Sequence, residues 1–512
     1  MQAQGTGTML TEVLFLVLAA APLVYLYSTR TYGHWKKRKI PFVKPVPLFG
    51  NMLDVILVRR SLAEITEKIY RKGAGQPVIG FFQFQKPVLL LRDPEVIKAV
   101  MVKEFSSFHD NSFIVDETLD PLAARNPFFQ KGEKWKAVRS LLTPAFTIGK
   151  IKPQLTLMEP VCKDLIDFIE KESFKGNPDG IEAKELAAKF TTDIVATCAF
   201  GIEGNSLKYE NAELRNKGRD LLSTSMWNKI KFMILFFLPS LGKFLKARIK
   251  ETVSYREENN VIRNDYLNML VQIKNKGRID DDTSIIRVGG VNLEYTEEDI
   301  TAHALTFFID GFETSSVALS FALYELALNP EVQTKLRMEV DSVLKKHNGK
   351  LCYEAIQEMI YLDMVLSESL RIHPPAIATD RICNRTCELS LPNGDNVVIE
   401  KGFTVLIPIE ALHKDPEHFP QPDKFNPERF SEEQKASIKR YTYIPFGEGP
   451  RQCLGIKFGL TQIKVGLATI VSQFEICRSP KTPVPLILDI LSFFPIAKGG
   501  LWLDFVKRTD LR

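Results

Sequence analysis

Ten residues near the C-terminus constrain this chain more than any other stretch: Phe446-Gly447-Glu448-Gly449-Pro450-Arg451-Gln452-Cys453-Leu454-Gly455. One cysteine sits in a glycine-rich turn, with an arginine two residues before it. Glycine accepts backbone dihedrals that other residues resist, so such a turn can aim N–H groups at the sulfur. Those donors and the charge of Arg451 both favour thiolate over thiol. No second Cys or His follows at zinc spacing, which speaks against a structural zinc site. The readings left are a nucleophile or an axial ligand of haem iron, with a buried inert cysteine as the plain alternative.

The rest of the chain is ordinary in composition: 512 residues, 45% hydrophobic and 25% charged. At roughly 150 residues per domain the length alone suggests about three domains. The net charge of +5 is modest and implies no nucleic-acid partner. Seven cysteines are scattered, and an odd count without framework spacing fits a reducing compartment.

The N-terminus differs in kind. From Met9 to Tyr27 the chain is almost wholly apolar, broken by Thr11, Glu12 and Pro22. About 19 residues at about 1.5 Å each span roughly 28 Å, close to a bilayer core. Arg30, Lys36, Lys37, Arg38 and Lys39 follow, which places that side in the cytosol. A cleaved signal peptide competes, with Ala19-Ala20-Ala21 as its exit, but it lacks a basic start and Pro22 would follow the cut. The prolines of Pro41 to Asn51 then stiffen the chain and deny it helix, as a hinge or plain linker would.

Further on, Pro77 to Phe82 and Val88 to Arg92 read as strands, and helical patterns dominate from Pro94. A helix over Lys131 to Ile148 puts Trp135 and Arg139 on one face. The apolar run Phe232 to Leu238, between lysines, reads as a lipid-dipping segment or a core helix. A long helix starts at the Thr296/Asp299 capping box and ends near Asn329-Pro330. Its middle reads Phe307-Phe308-Ile309-Asp310-Gly311-Phe312-Glu313-Thr314-Ser315-Ser316. A mid-helix glycine costs about 1 kcal/mol against alanine, and Thr or Ser there can bond back to carbonyls and open the turn. A helix accepts that combination when something must sit against its backbone; the plain alternative is a kinked core helix. Glu368 and Arg371 share one face at i and i+3, beside apolar Leu366 and Leu370.

Together these motifs resemble the cytochrome P450 haem-thiolate monooxygenases, most closely the insect microsomal detoxifying members. The family's cysteine signature is filled by Phe446, Gly449, Arg451, Cys453 and Gly455. The resemblance implies a mainly α fold with small β-sheets (α+β), holding haem between a long central helix and the cysteine loop. It implies a membrane anchor over residues 1–29, a basic, proline-rich hinge over 30–51 and one haem-binding catalytic domain over 52–512. Cys453 is then the ligand of haem b iron. Trp135, Arg139, Arg381 and Arg451 bind the haem edges, and Phe446, Gly447 and Gly455 shape its cradle. Thr314 and Glu313 take the oxygen-activating and proton-delivering roles, and Phe113, Phe307, Phe308, Asp310, Ile377, Ala378 and Phe494 face substrate. The Glu368/Arg371 pair joins Arg429 to lock the cysteine loop.

The implied partners are O2, NADPH electrons delivered by NADPH–cytochrome P450 reductase to a basic face (Lys134, Lys136, Lys439, Arg440, Lys457), cytochrome b5, the lipid bilayer and a lipophilic small molecule. The implied location is the endoplasmic reticulum membrane, with the catalytic domain on the cytosolic face. The expected reaction is oxidation of lipophilic foreign compounds such as insecticides. A biosynthetic hydroxylase of a sterol hormone or fatty acid is the alternative, and an isomerase, a dehydratase or a non-catalytic haem protein lies further off. The chain departs from the family pattern at Asp310, where most relatives place Ala or Gly. That acid reads as bonded within the helix groove, as a polar anchor for substrate or water, or as an ester to a haem methyl.

Overall fold

The computed structural model describes residues 20–222, 239–279 and 295–509. Among these the strands are, in chain order, β1 (Val78–Gln83), β2 (Lys86–Leu91), β3 (Ile181–Glu182), β4 (Thr379–Ile382), β5 (Cys387–Ser390), β6 (Asn396–Ile399), β7 (Thr404–Ile407), β8 (Phe474–Arg478) and β9 (Trp502–Lys507). Helices make up most of the remainder, so the fold is mainly α with small sheets. The helices that build the site are α1 (Gly132–Leu142), α2 (Leu155–Phe174), α3 (Ala183–Val195), α4 (Tyr266–Lys276), α5 (Glu297–Leu328), α6 (Ile360–Ile372) and α7 (Ile456–Gln473).

The chain forms two compact units. One takes the described residues up to Ser112, with Ile377–Leu412 and Arg440–Thr442. Its sheet runs β1-β2-β7-β4, with β2 and β7 parallel and the outer pairs antiparallel; β5 and β6 form a separate hairpin. Consecutive buried residues, Phe81 and Phe82 on β1 and Leu89 to Leu91 on β2, show strands covered on both faces. The proline-rich stretch is more than a spacer. Phe42 bridges to Gly80, Gly50 bridges to Gln83, and the Trp35 indole N–H donates to the Phe81 carbonyl at 3.1 Å. A Cβ on Gly80 would stand 2.5 Å from the Trp35 ring, so only glycine admits that contact. Edge pairing suits a proline-bearing segment, which lacks donors for an inner strand.

The other unit holds Phe113–Ala376, His413–Lys439 and the described residues from Tyr443 onward. At its centre α5 runs for 32 residues, with both halves of the Thr296/Asp299 capping box formed. It is buried almost all round, which is how a helix in the middle of a large core reads. Helices α2, α3 and α7 contribute Leu165, Phe190 and Leu467 to the same apolar core. The helix expected over Lys131 to Ile148 breaks early: α1 ends at Leu142 and a 3-10 turn follows over Thr143–Phe146. Pro144 supplies no N–H and enforces that change.

The apolar run Phe232–Leu238 and most of the expected anchor lie outside the described residues. Residues 20–29 are helical, and no helix among the described residues is long and apolar enough to cross a membrane.

Candidate functional site

The cysteine loop is a sequence of tight turns. Gly447 and Gly449 adopt left-handed backbone, with φ of 70° and 73°, which a side chain would strain. Gly447 N–H donates to Ile444 O at 3.0 Å, and Cys453 N–H returns to Phe446 O at 2.9 Å. Gly455 then opens α7, and its N–H donates to the Cys453 sulfur. The expected N–H donor is therefore present. The expected charge comes from elsewhere. The Arg451 guanidinium lies 4.1 Å above the Trp135 ring and donates to the carbonyls of Pro127, Phe128 and Gln130. Its planar fork matches that row of acceptors, and the ring attracts its charge. The cation that lowers the Cys453 pKa is Arg139, whose Nη2 donates to Gln452 O at 2.8 Å.

Burial outweighs these donors and pushes the Cys453 thiol up to about 11. A charge removed from water is disfavoured whatever its nearby partners unless they fully compensate. Cys453 as a residue is nevertheless exposed. A group that is accessible yet deeply enclosed lines an internal void.

Asp310 and Thr314 show the same signature on α5. Asp310 presents accessible surface while burial alone lifts its carboxyl to about 7, and its charge acts on both Cys453 and Tyr266. Thr314 Oγ1 donates back to Asp310 O at 2.6 Å. Two more residues extend this pattern: Gln462, which sequence reasoning did not assign, and Thr191, which it reads only as part of a structural helix packing on the haem-side core. Gln462 on α7 donates to Gly311 O at 2.9 Å and to Ser315 Oγ at 2.7 Å, and Thr191 on α3 donates to Phe312 O at 2.8 Å. Three successive carbonyls of α5 thus accept side-chain donors where the helix carries Gly311. The signal available in sequence was a polar residue inside an apolar helical run, which is common and weak.

Glu313 faces elsewhere. It is 3% exposed and pairs at 3.0 Å with Lys184, itself 12% exposed, on α3. Successive helical residues lie about 100° apart, so Glu313 and Thr314 serve different faces.

The remaining candidates divide. Phe307 stacks on Tyr266 at 4.5 Å and meets Phe458, just past the cysteine loop, at 4.9 Å. Phe308 is fully buried between Phe200 and Phe312, which places it in the core and not on a cavity wall. Phe113 clusters with Phe128 and Phe129, and Phe494 packs edge-on to Phe493. Ile377, Ala378 and Arg381 belong to the other unit. There Arg381 is buried on β4, donates to Thr379 Oγ1 and Asp380 O, and leaves its Nε without a partner among the described residues.

Behind the loop stands a dense polar brace. Glu368 and Arg371 on α6 are both 0% exposed and doubly bonded, at 2.7 and 2.9 Å. Arg371 also donates to the carbonyls of His413 and Pro422, and Arg429 joins Glu368 at 3.3 Å. His413 accepts from Ile444 N–H at 2.9 Å, which ties the brace to the start of the cysteine loop.

The donor set fits haem. A thiol that burial keeps protonated is deprotonated outright once a metal ion coordinates it. Arg139 stands beside it as a half-buried cation. On α5, the carbonyls of Gly311 and Phe312 accept from side chains of two neighbouring helices.

The family model described as Cytochrome P450 matches residues 40–499. The chain is similar to Cytochrome P450 6k1 of Blattella germanica, with 39% identity over 98% of each chain. It is also similar to Cytochrome P450 6j1 of the same organism (37%, covering 98% of this chain and 99% of that one). Probable cytochrome P450 6a14 of Drosophila melanogaster is 37% identical, over 95% of this chain and 98% of the relative.

Proposed function

The chain belongs to the cytochrome P450 family and is a haem-thiolate monooxygenase, and on that premise we propose that it oxidises lipophilic foreign compounds at the void between Cys453 and α5. Haem iron, when bound, supplies the activation of O2 with electrons from NADPH through a reductase. Cys453, accessible yet enclosed and within reach of the Asp310 charge, is the observation that carries the site. The resemblance of the chain to insect relatives supports the foreign-compound role.

Each residue then has a task. Cys453 is the axial ligand, and Gly455 N–H tunes its sulfur. Arg139 holds positive charge beside it, and Trp135 and Arg451 complete the haem edge on the same unit. Phe446 and Gly447 shape the turn that presents the sulfur. Thr314 holds its hydroxyl proton on Asp310 O at rest and can offer it into the void. Glu313 and Lys184 form a buried charged pair one residue away, suited to moving a proton from the outer side of α5. Phe307, Phe113 and Phe494 are the aromatic groups best placed to limit the substrate space.

Membrane attachment through residues 1–29 and a hinge at 30–51 belong to the same proposal, on the strength of the apolar N-terminal sequence and the basic residues after it. Exposed Lys134, Lys136 and Lys457 suit an acidic reductase, with cytochrome b5 as a second donor. Reductase-dependent NADPH consumption, measured with and without a panel of lipophilic compounds, tests the reading. Stimulation with oxygenated product is expected; no oxygenated product from any member would contradict it.

A further inference from the structure

Buried acids in this protein have partners. Glu313 has Lys184, Glu368 has Arg371, and Asp265 has Arg256 at 2.6 Å. Asp310 differs from them on both counts: the residue presents accessible surface, and its carboxyl has no hydrogen-bond or ion-pair partner among the described residues. The groups its charge reaches are the Tyr266 phenol and the Cys453 thiol, and neither is a cation. Two cations on other elements are already engaged, Arg139 with Gln452 O and Lys184 with Glu313. An unpaired acid in an apolar enclosure is costly. It persists in a folded protein when a ligand completes it.

We propose that Asp310 makes this cavity a receptor for lipophilic amines, its carboxyl pairing with the protonated nitrogen of an otherwise apolar substrate. The proposal rests on the monooxygenase reading and names the substrate class of that same site. The chemistry of the wall selects the class. A cation beside the carboxylate relieves its desolvation, and a ring such as Phe307 adds attraction to the same charge. An anionic ligand would place like charge on like, so fatty acids are disfavoured. Because Asp310 and Thr314 are one helical turn apart on a single face, the nitrogen is anchored about one turn from the reacting end of the site. Its oxidisable carbons are therefore those a few bonds from the nitrogen.

The test uses the haem-loaded enzyme. Diisopropylbenzylamine, whose crowded tertiary nitrogen is a poor iron ligand, is titrated against the hydrocarbon in which CH replaces nitrogen. Binding is read from the ligand-induced shift of the Soret band. The ratio of the two Kd values is expected to change by about tenfold or more between wild type and Asp310→Asn, the scale of a truncated buried charge pair. An unchanged ratio overturns the proposal, as does laurate binding wild type as tightly as the amine. Haem that stays with the protein on acid extraction also overturns it, since the carboxyl would then be esterified. The Asn variant matches Asp in shape, and its ferrous CO spectrum reports whether it folds. A wild-type CO spectrum without the thiolate signature removes the monooxygenase reading itself, a result distinct from an unchanged Kd ratio.

Discussion

The two sides of the void are built on opposite principles. On the cysteine side polar groups are over-provided with partners: Arg371 alone serves Glu368, His413 O and Pro422 O. On the α5 side, among the described residues, Asp310 has none, and the Thr314 hydroxyl has only a backbone carbonyl. Rigidity explains the first. A ligand atom must not move, and buried networks that are fully satisfied specify one arrangement. Reactivity explains the second, because groups that must meet small molecules cannot be spent on the protein.

The contrast can be broken most severely at the sulfur. Cys453→Ser is expected to abolish the thiolate-type CO spectrum and all turnover, measured on purified protein. An intact thiolate band in that variant would remove Cys453 from the site. Next comes the brace. Arg371→Ala strips Glu368 of its doubly bonded partner and leaves only the longer contact with Arg429, at a cost of about 3 kcal/mol. Little haem-loaded protein should accumulate, as read by the ratio of Soret to protein absorbance.

On the α5 side effects should fall on chemistry and spare the fold. Glu313→Gln and Thr314→Ala are each expected to lower product formation by about 10- to 100-fold while NADPH consumption persists. The thermal midpoint of Thr314→Ala should barely move. Equal losses of stability and turnover would instead make these residues structural.

The smallest effect concerns pH. Burial depresses the His413 pKa to about 3, below its ordinary value near 6.5, so the fold requires the neutral ring. Its contribution is complete above about 6.5 and is lost as pH falls toward 3. His303, held at about 4 by burial, acts in the same direction. The thermal midpoint should therefore decline below about pH 6.5, and His413→Gln should flatten that decline without removing it.

Local rules made much of this readable from sequence. The capping box and the following proline bounded α5 to within a residue or two, because both act on the backbone beside them. Glu368 and Arg371 could be paired in advance because helical spacing fixes which side chains meet. The failures were tertiary. Arg451 looked like the cation for the neighbouring sulfur, yet its fork found three carbonyls and an indole elsewhere. Glu313 and Thr314 are adjacent in sequence and divided by helix geometry. Thr191, Lys184 and Gln462 carry only a weak signal in sequence, since their partners lie on other elements. At Cys453 burial, which no local motif reveals, outweighs two favourable neighbours, so the thiolate depends on the metal as well as on the loop.

The central claim is that an enclosed Cys453 ligates haem iron as a thiolate, and the spectrum of the ferrous, CO-bound protein tests it most directly. A Soret band red-shifted by thiolate ligation is the predicted result. A Soret band without that shift, in fully haem-loaded and folded protein, would contradict it.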